Sequence, residues 1–213
     1  MIIKIINKFS REEEIANALS HGLGIPLSIA ALVFLSVKGV KANSSLSAVG
    51  FVIFGISLFI MYTMSTLYHS LKPGRAKRVF ERLDHCSIYI LIAGTYTPFC
   101  FTILKGKVGW ILFGFQWGLA LIGIVFKSIW IDKWVAAATA VYAAMGWSII
   151  FVIQTLLASI AYGGFLLLLI GGILYTLGII FFALPLFKYH HGVWHFFVLG
   201  GSITHFFCIY LYL

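Results

Sequence analysis

Charge is what this sequence has least of. Aspartate and glutamate number 6 and lysine and arginine 15, together 10% of 213 residues. A soluble domain of this length needs far more polar surface to face water, so that class is excluded. Proline is scarce, at 4 residues, and no low-complexity tract supplies a linker. Cysteine occurs only as Cys86, Cys100 and Cys208. The number is odd, no C-x-x-C occurs, and all three lie in apolar segments. They read as buried apolar filler and support no disulfide. Also missing are a G-x-S-x-G elbow, a P-loop and an H-E-x-x-H helix, which leaves out the chemistries those motifs serve.

Hydrophobic residues make up 62% of the chain, with a mean hydropathy of +1.04. A membrane-spanning helix needs roughly 20 predominantly apolar residues. Seven segments qualify: 15–37, 46–70, 83–104, 108–126, 134–153, 162–186 and 191–213. Lipid offers backbone groups no partner, so helices are expected, and the alternating segments of a β-barrel are absent. The fold class is all-α, a polytopic membrane protein with a seven-helix bundle. Residues 15–213 form the transmembrane domain. Residues 1–14 precede it; Lys4 and Lys8 interrupt the apolar residues there, so no signal-peptide core forms. An interfacial helix and a frayed terminus describe this stretch equally well.

The net charge of +9 does not indicate nucleic acid. The basic residues sit in short gaps between apolar runs, which fits orientation signals and anionic headgroups. Eleven lysines and arginines fall on one side of the seven spans, against four on the other. The positive-inside rule then puts the N-terminus in the cytoplasm. Gly114 and Gly118 form a G-x-x-x-G suited to helix contact. Pro26, Pro98 and Pro185 lie in or at the ends of spans, as kinks or as tolerated residues. Glu12, Glu13 and Glu14 read as a solvated face.

Ionisable residues inside spans are costly, and they mark functional interiors. Six of the seven histidines fall in the cytoplasmic half: His21, His69, His85, His190, His191 and His195. His205 lies about 21 Å farther along the last helix, at ~1.5 Å per residue. His191 and His195 are four apart and share a helix face. Topology places His69, ending the second span, and Asp84, opening the third, at the same depth. Three imidazoles with one open position make a catalytic zinc site. Asp84 is then the candidate general base, and Ser65, one turn from His69, supports the site or contacts a reacting oxygen. Bland alternatives stand beside each of these. The histidines suit headgroup contact, Asp84 an ion pair with Arg82 or a helix cap, and Ser65 a carbonyl of its own helix. His190 reads as facing headgroups, His85 as pointing to another face, His21 as lining the cavity, and His205 as an interhelical hydrogen bonder.

Three stretches resemble the hemolysin III family. They are Ser65 with His69, the run from Phe80 to Phe99 that contains Asp84 and His85, and His191-Gly192-Val193-Trp194-His195. The Ser20-to-Gly24 stretch agrees with it. That family is related to the progestin and adiponectin receptors and, more distantly, to alkaline ceramidases. The resemblance implies a seven-helix bundle in a bacterial plasma membrane, with zinc held by His69, His191 and His195. It matches Asp84 to the aspartate that holds a water beside the zinc, and Ser65 to the motif serine. Three functions follow as expectations: zinc-dependent hydrolysis of a lipid amide or ester, pore-forming cytolysis with a structural zinc, or non-enzymatic control of membrane lipids. Membrane lipids are the expected partners in each.

Overall fold

The computed structural model describes residues 9–42, 44–184 and 187–213. The expectation of an interfacial helix falls on residues 1–8, outside that range, as does Pro185. Every regular element among the described residues is helical.

The first span is longer than its apolar core. α1 (Arg11–Gly22) and α2 (Gly24–Lys41) follow one another with only Leu23 between them. The helix starts at Arg11 because Ser10 and Glu13 form a capping box, each side chain bonded to the other's backbone N–H. The acidic run therefore builds the first turn, where carboxylates suit the helix dipole. α3 spans Ser45–Ser70. α4 spans Arg75–Thr102 and starts eight residues before its apolar stretch. Its charged first turns are tied down by Lys77 and Arg78, which pair with Glu14 and Asp132. α4 continues through Pro98.

α5 (Lys107–Ile129) follows. The next span is not the single helix expected. It divides into α6 (Val135–Trp147), a 3-10 segment Ser148–Val152 and α7 (Ile153–Ser159). Broken backbone at membrane depth needs internal partners. Tyr96 supplies them from α4: its hydroxyl donates to the Gly146 carbonyl and accepts from the Ile149 N–H. Gln116, fully buried on α5, donates to the Met145 carbonyl and to Ser148. α8 (Tyr162–Ala183) and α9 (His190–Tyr212) complete the bundle. Lys38 closes its far end by donating to the carbonyls of Ile209 and Tyr210.

Among the described residues, six spans are long and apolar enough to cross a membrane. The seventh long helix, α4, is also the most interior, buried without a break from Ala93 to Thr102. Its 28 residues cover about 42 Å at ~1.5 Å per residue. The outer surface is apolar, with Val40, Ile111, Leu121 and Ile122 all more than 60% exposed. Exposure of that kind suits lipid and not water. This is a multi-pass membrane protein.

Small residues do set helix contacts, but not at the G-x-x-x-G. A Cβ on Gly114 or Gly118 would meet nothing within 4 Å. A Cβ on Gly123 would lie 2.3 Å from the Tyr89 ring, so α5 and α4 approach through that glycine. Gly123→Ala is expected to cost about 1–3 kcal/mol through overpacking. Gly114→Ala should stay within about 0.5 kcal/mol. Thermal unfolding in one detergent compares the two.

Candidate metal centre

His69 is the penultimate residue of α3, and His191 and His195 occupy the first two turns of α9. All three are buried: 3%, 9% and 0% exposed. One ligand atom from each lies within 4.8 Å of the other two. A tetrahedral ion with Zn–N bonds of about 2 Å holds its nitrogens ~3.3 Å apart, so small side-chain rotations close the group. These three histidines could hold a metal ion. The fold brings His69 together with His191 and His195 from stretches far apart in sequence.

The donor set fits a cation in a further respect. The Nε2 atoms of His69, His191 and His195 are all buried without a hydrogen-bond partner. Leaving a buried polar atom unpaired costs about 1–3 kcal/mol, and one ion would satisfy all three; His21 Nε2 is likewise buried without a partner. Partners on the opposite ring edge fix the tautomers. His69 Nδ1 donates to Glu14 Oε2 at 2.7 Å, and Lys77 holds Oε1 of the same carboxylate at 2.9 Å. His195 Nδ1 donates toward the Asn17 carbonyl at 3.1 Å and Ser20 Oγ at 2.8 Å. Ser20 spends its own proton on the Asn17 carbonyl. In both rings Nε2 is then the lone-pair nitrogen, as a metal ligand requires.

Glu14 was not foreseen. Reading residues 12–14 as a solvated face holds for Glu12, which is exposed, and fails for Glu14, whose side chain is only 18% exposed. The available signal was the spacing of Glu14, Asn17 and His21 at i, i+3 and i+7, a polar stripe on a helix otherwise headed into lipid. Asn17, Ser20 and His21 are all buried on that stripe. Glu14→Gln removes a charged partner that orients a ligand. It is expected to weaken metal affinity by about 10- to 100-fold, as read by competition with a chromogenic chelator.

His21 joins the site without being in the ligand group. Its ring stacks on His195, with centroids 3.5 Å apart and planes at 13°. Its Nδ1 lies 2.7 Å from Ser65 Oγ. Ser65 is thus bonded across helices to α1 and is not confined to a carbonyl of its own helix. Asp84 is 4% exposed, adjoins Ser65 and Glu81, and keeps Oδ1 unpartnered. It sits nine residues into α4, so the helix-cap reading does not hold. Asp84 lies outside the group of three ligands.

The remaining histidines separate. His190 is half-buried, and its Nδ1 donates to the Phe181 carbonyl at 2.7 Å, closing the end of α8. His85 stays out of the ligand group, and its carbonyl accepts from Tyr142. His205 is an interhelical hydrogen bonder, as expected, with Nε2 donating to Leu168 at 3.1 Å. Phe9 covers the outer side of the group, its ring centroid 4.8 Å from that of His191 and 5.9 Å from that of His69. On the inner side, Trp194 packs 4.8 Å from His191 and 5.0 Å from His195.

Comparison with known proteins agrees with this architecture. The chain is 47% identical over 204 residues to the Hemolysin-3 homolog of Bacillus subtilis (strain 168), covering 96% of each chain. It is 45% identical over 201 residues to Hemolysin-3 of Bacillus cereus, covering 94% of this chain and 92% of that one. Over 167 residues it is 28% identical to the Monocyte to macrophage differentiation factor of Homo sapiens, covering 76% and 69%. The family described as haemolysin-III related matches residues 9–206, a stretch that takes in Glu14, Ser65, Asp84 and all three clustered histidines. The chain belongs to that haemolysin-III-related family.

Proposed function

We propose that this protein is a zinc-dependent hydrolase acting on an amide or ester of a membrane lipid. The observation that carries the reading is the clustering of His69, His191 and His195, whose buried Nε2 atoms have no partner, in a bundle that also buries the Asp84 carboxylate. When bound, zinc supplies Lewis-acid polarisation of a carbonyl and lowers the pKa of water. His69, His191 and His195 would hold it, with Glu14, Asn17 and Ser20 keeping the rings in register. Asp84 takes one proton from the attacking water through its free Oδ1. It returns that proton to the leaving nitrogen or oxygen as the carbonyl bond breaks. Ser65, tethered to His21, borders Asp84 and keeps that carboxylate in place.

Lipid access supports the same reading. An open cleft runs between α4, α6, α8 and α9. Its wall includes Trp194 and Phe182, both of which pack against the His191 ring. The broken span lines it through Gly146 and Trp147. A lipid could therefore enter sideways, from the leaflet that the charge asymmetry assigns to the cytoplasm. The test is hydrolysis of amide- and ester-linked lipids by purified protein in liposomes. Turnover that appears with zinc and disappears on chelation supports the proposal. No cleavage of any lipid class by zinc-loaded protein sinks it.

One observation favours a second reading: the Bacillus cereus relative carries the name Hemolysin-3. In that case zinc ties α3 to α9 and the protein permeabilises membranes. Dye release from liposomes that tracks protein concentration supports it. Sealed liposomes at every concentration count against it.

A further inference from the structure

Beyond the metal group, the bundle buries a second set of polar residues deeper along α9. His205 is 6% exposed. It lies ten residues past His195, about 15 Å along the helix at ~1.5 Å per residue. The cleft described above and a neighbouring pocket both reach it. The rest of the cleft wall is mainly apolar, with Ile88, Leu91 and Val198 among its residues.

The ring of His205 is fixed in orientation. Its Cδ2–Nε2 edge packs on α8, where a Cβ on Gly171 would lie 2.3 Å from both atoms. Nε2 faces the Leu168 carbonyl, which can only accept, so Nε2 carries the proton. Nδ1 is the ring vertex opposite that edge and points away from α8. In the neutral ring it is an acceptor, and it has no partner.

The neighbouring donors are already committed. Thr95 donates to the Leu91 carbonyl at 2.7 Å, and Tyr96 to the Gly146 carbonyl. Trp147 donates to Thr176, which donates to Gly172. Tyr175 and Ser202 pair with each other at 2.8 Å. The Tyr175 ring lies 5.4 Å from that of His205. The missing partner of Nδ1 must donate a proton. A hydroxyl does so, whereas a carbonyl or a bare methylene does not.

We propose that the cleft binds an acyl chain carrying a mid-chain hydroxyl, and that His205 Nδ1 accepts its proton. This rests on the lipid reading of the cleft but not on turnover. An unpaired acceptor in an apolar site discriminates because the plain chain leaves it unsatisfied. The probes are a mid-chain hydroxystearate and plain stearate, binding to purified full-length protein in detergent. The unmodified protein is expected to prefer the hydroxylated chain by about tenfold, the scale of one buried hydrogen bond. His205→Phe should abolish the preference while plain stearate still binds and metal content stays unchanged. Equal affinity of the two chains in the unmodified protein overturns the proposal. So does binding of neither chain, or a preference that survives His205→Phe. Lipid hydrolysis plays no part in these readouts. A failed hydrolase assay with an intact preference would sink the enzyme reading and leave this one standing.

Discussion

Replacing both His191 and His195 by alanine is expected to take bound metal from near one ion per chain to near zero, measured by elemental analysis of purified protein. Two of the three clustered nitrogens go, and His69 alone cannot hold an ion against a chelating buffer. In all three rings Nε2 is buried and without a partner, so it is open to an ion. The unmodified protein should lose thermal stability on chelation, because an ion joining α3 to α9 binds the folded state alone. The double variant should be indifferent to chelator. Equal metal content in the two proteins would place the ion elsewhere. No metal in either would show that the three orphan nitrogens are met by water.

Asp84→Asn separates chemistry from metal binding. Asparagine keeps the shape and loses the ability to take a proton. Because Asp84 stands outside the ligand group, metal content should be retained. Any lipid hydrolysis should fall by about 10²- to 10⁴-fold, the usual worth of general acid–base catalysis. The fall belongs in kcat, since a proton acceptor acts as the bond breaks and not as the lipid binds. Full turnover with metal in place would remove Asp84 from the mechanism. Loss of metal together with activity would recast it as a support for the ligands.

Several features were legible from residue order. Apolar run lengths and basic gaps are local properties, and they indicated a membrane bundle and the pairing of His191 with His195. The depth match of His69 followed from counting spans, because a helix that crosses a bilayer returns its end to a known level. Other features were hidden because they depend on which faces meet. Glu14 looked like part of a solvated triplet. Its carboxylate belongs to the site only because α1 packs on α3 and brings it to His69. Gly114 and Gly118 have the spacing of a contact motif, yet they meet open space, since Gly123 turns the other side of α5 toward α4. The break after Trp147 has no proline to announce it. It is stable because Tyr96 and Gln116, far off in sequence, satisfy the freed backbone.

Sequence by itself determined that the chain lives in lipid and which end of the bundle gathers imidazoles. Those are matters of composition and periodicity, which each segment sets alone. Tertiary structure decided which nitrogen of His69 and of His195 is left as a lone pair, and which acid steadies His69. Those depend on groups from different helices meeting at hydrogen-bonding distance, and no single segment contains that information.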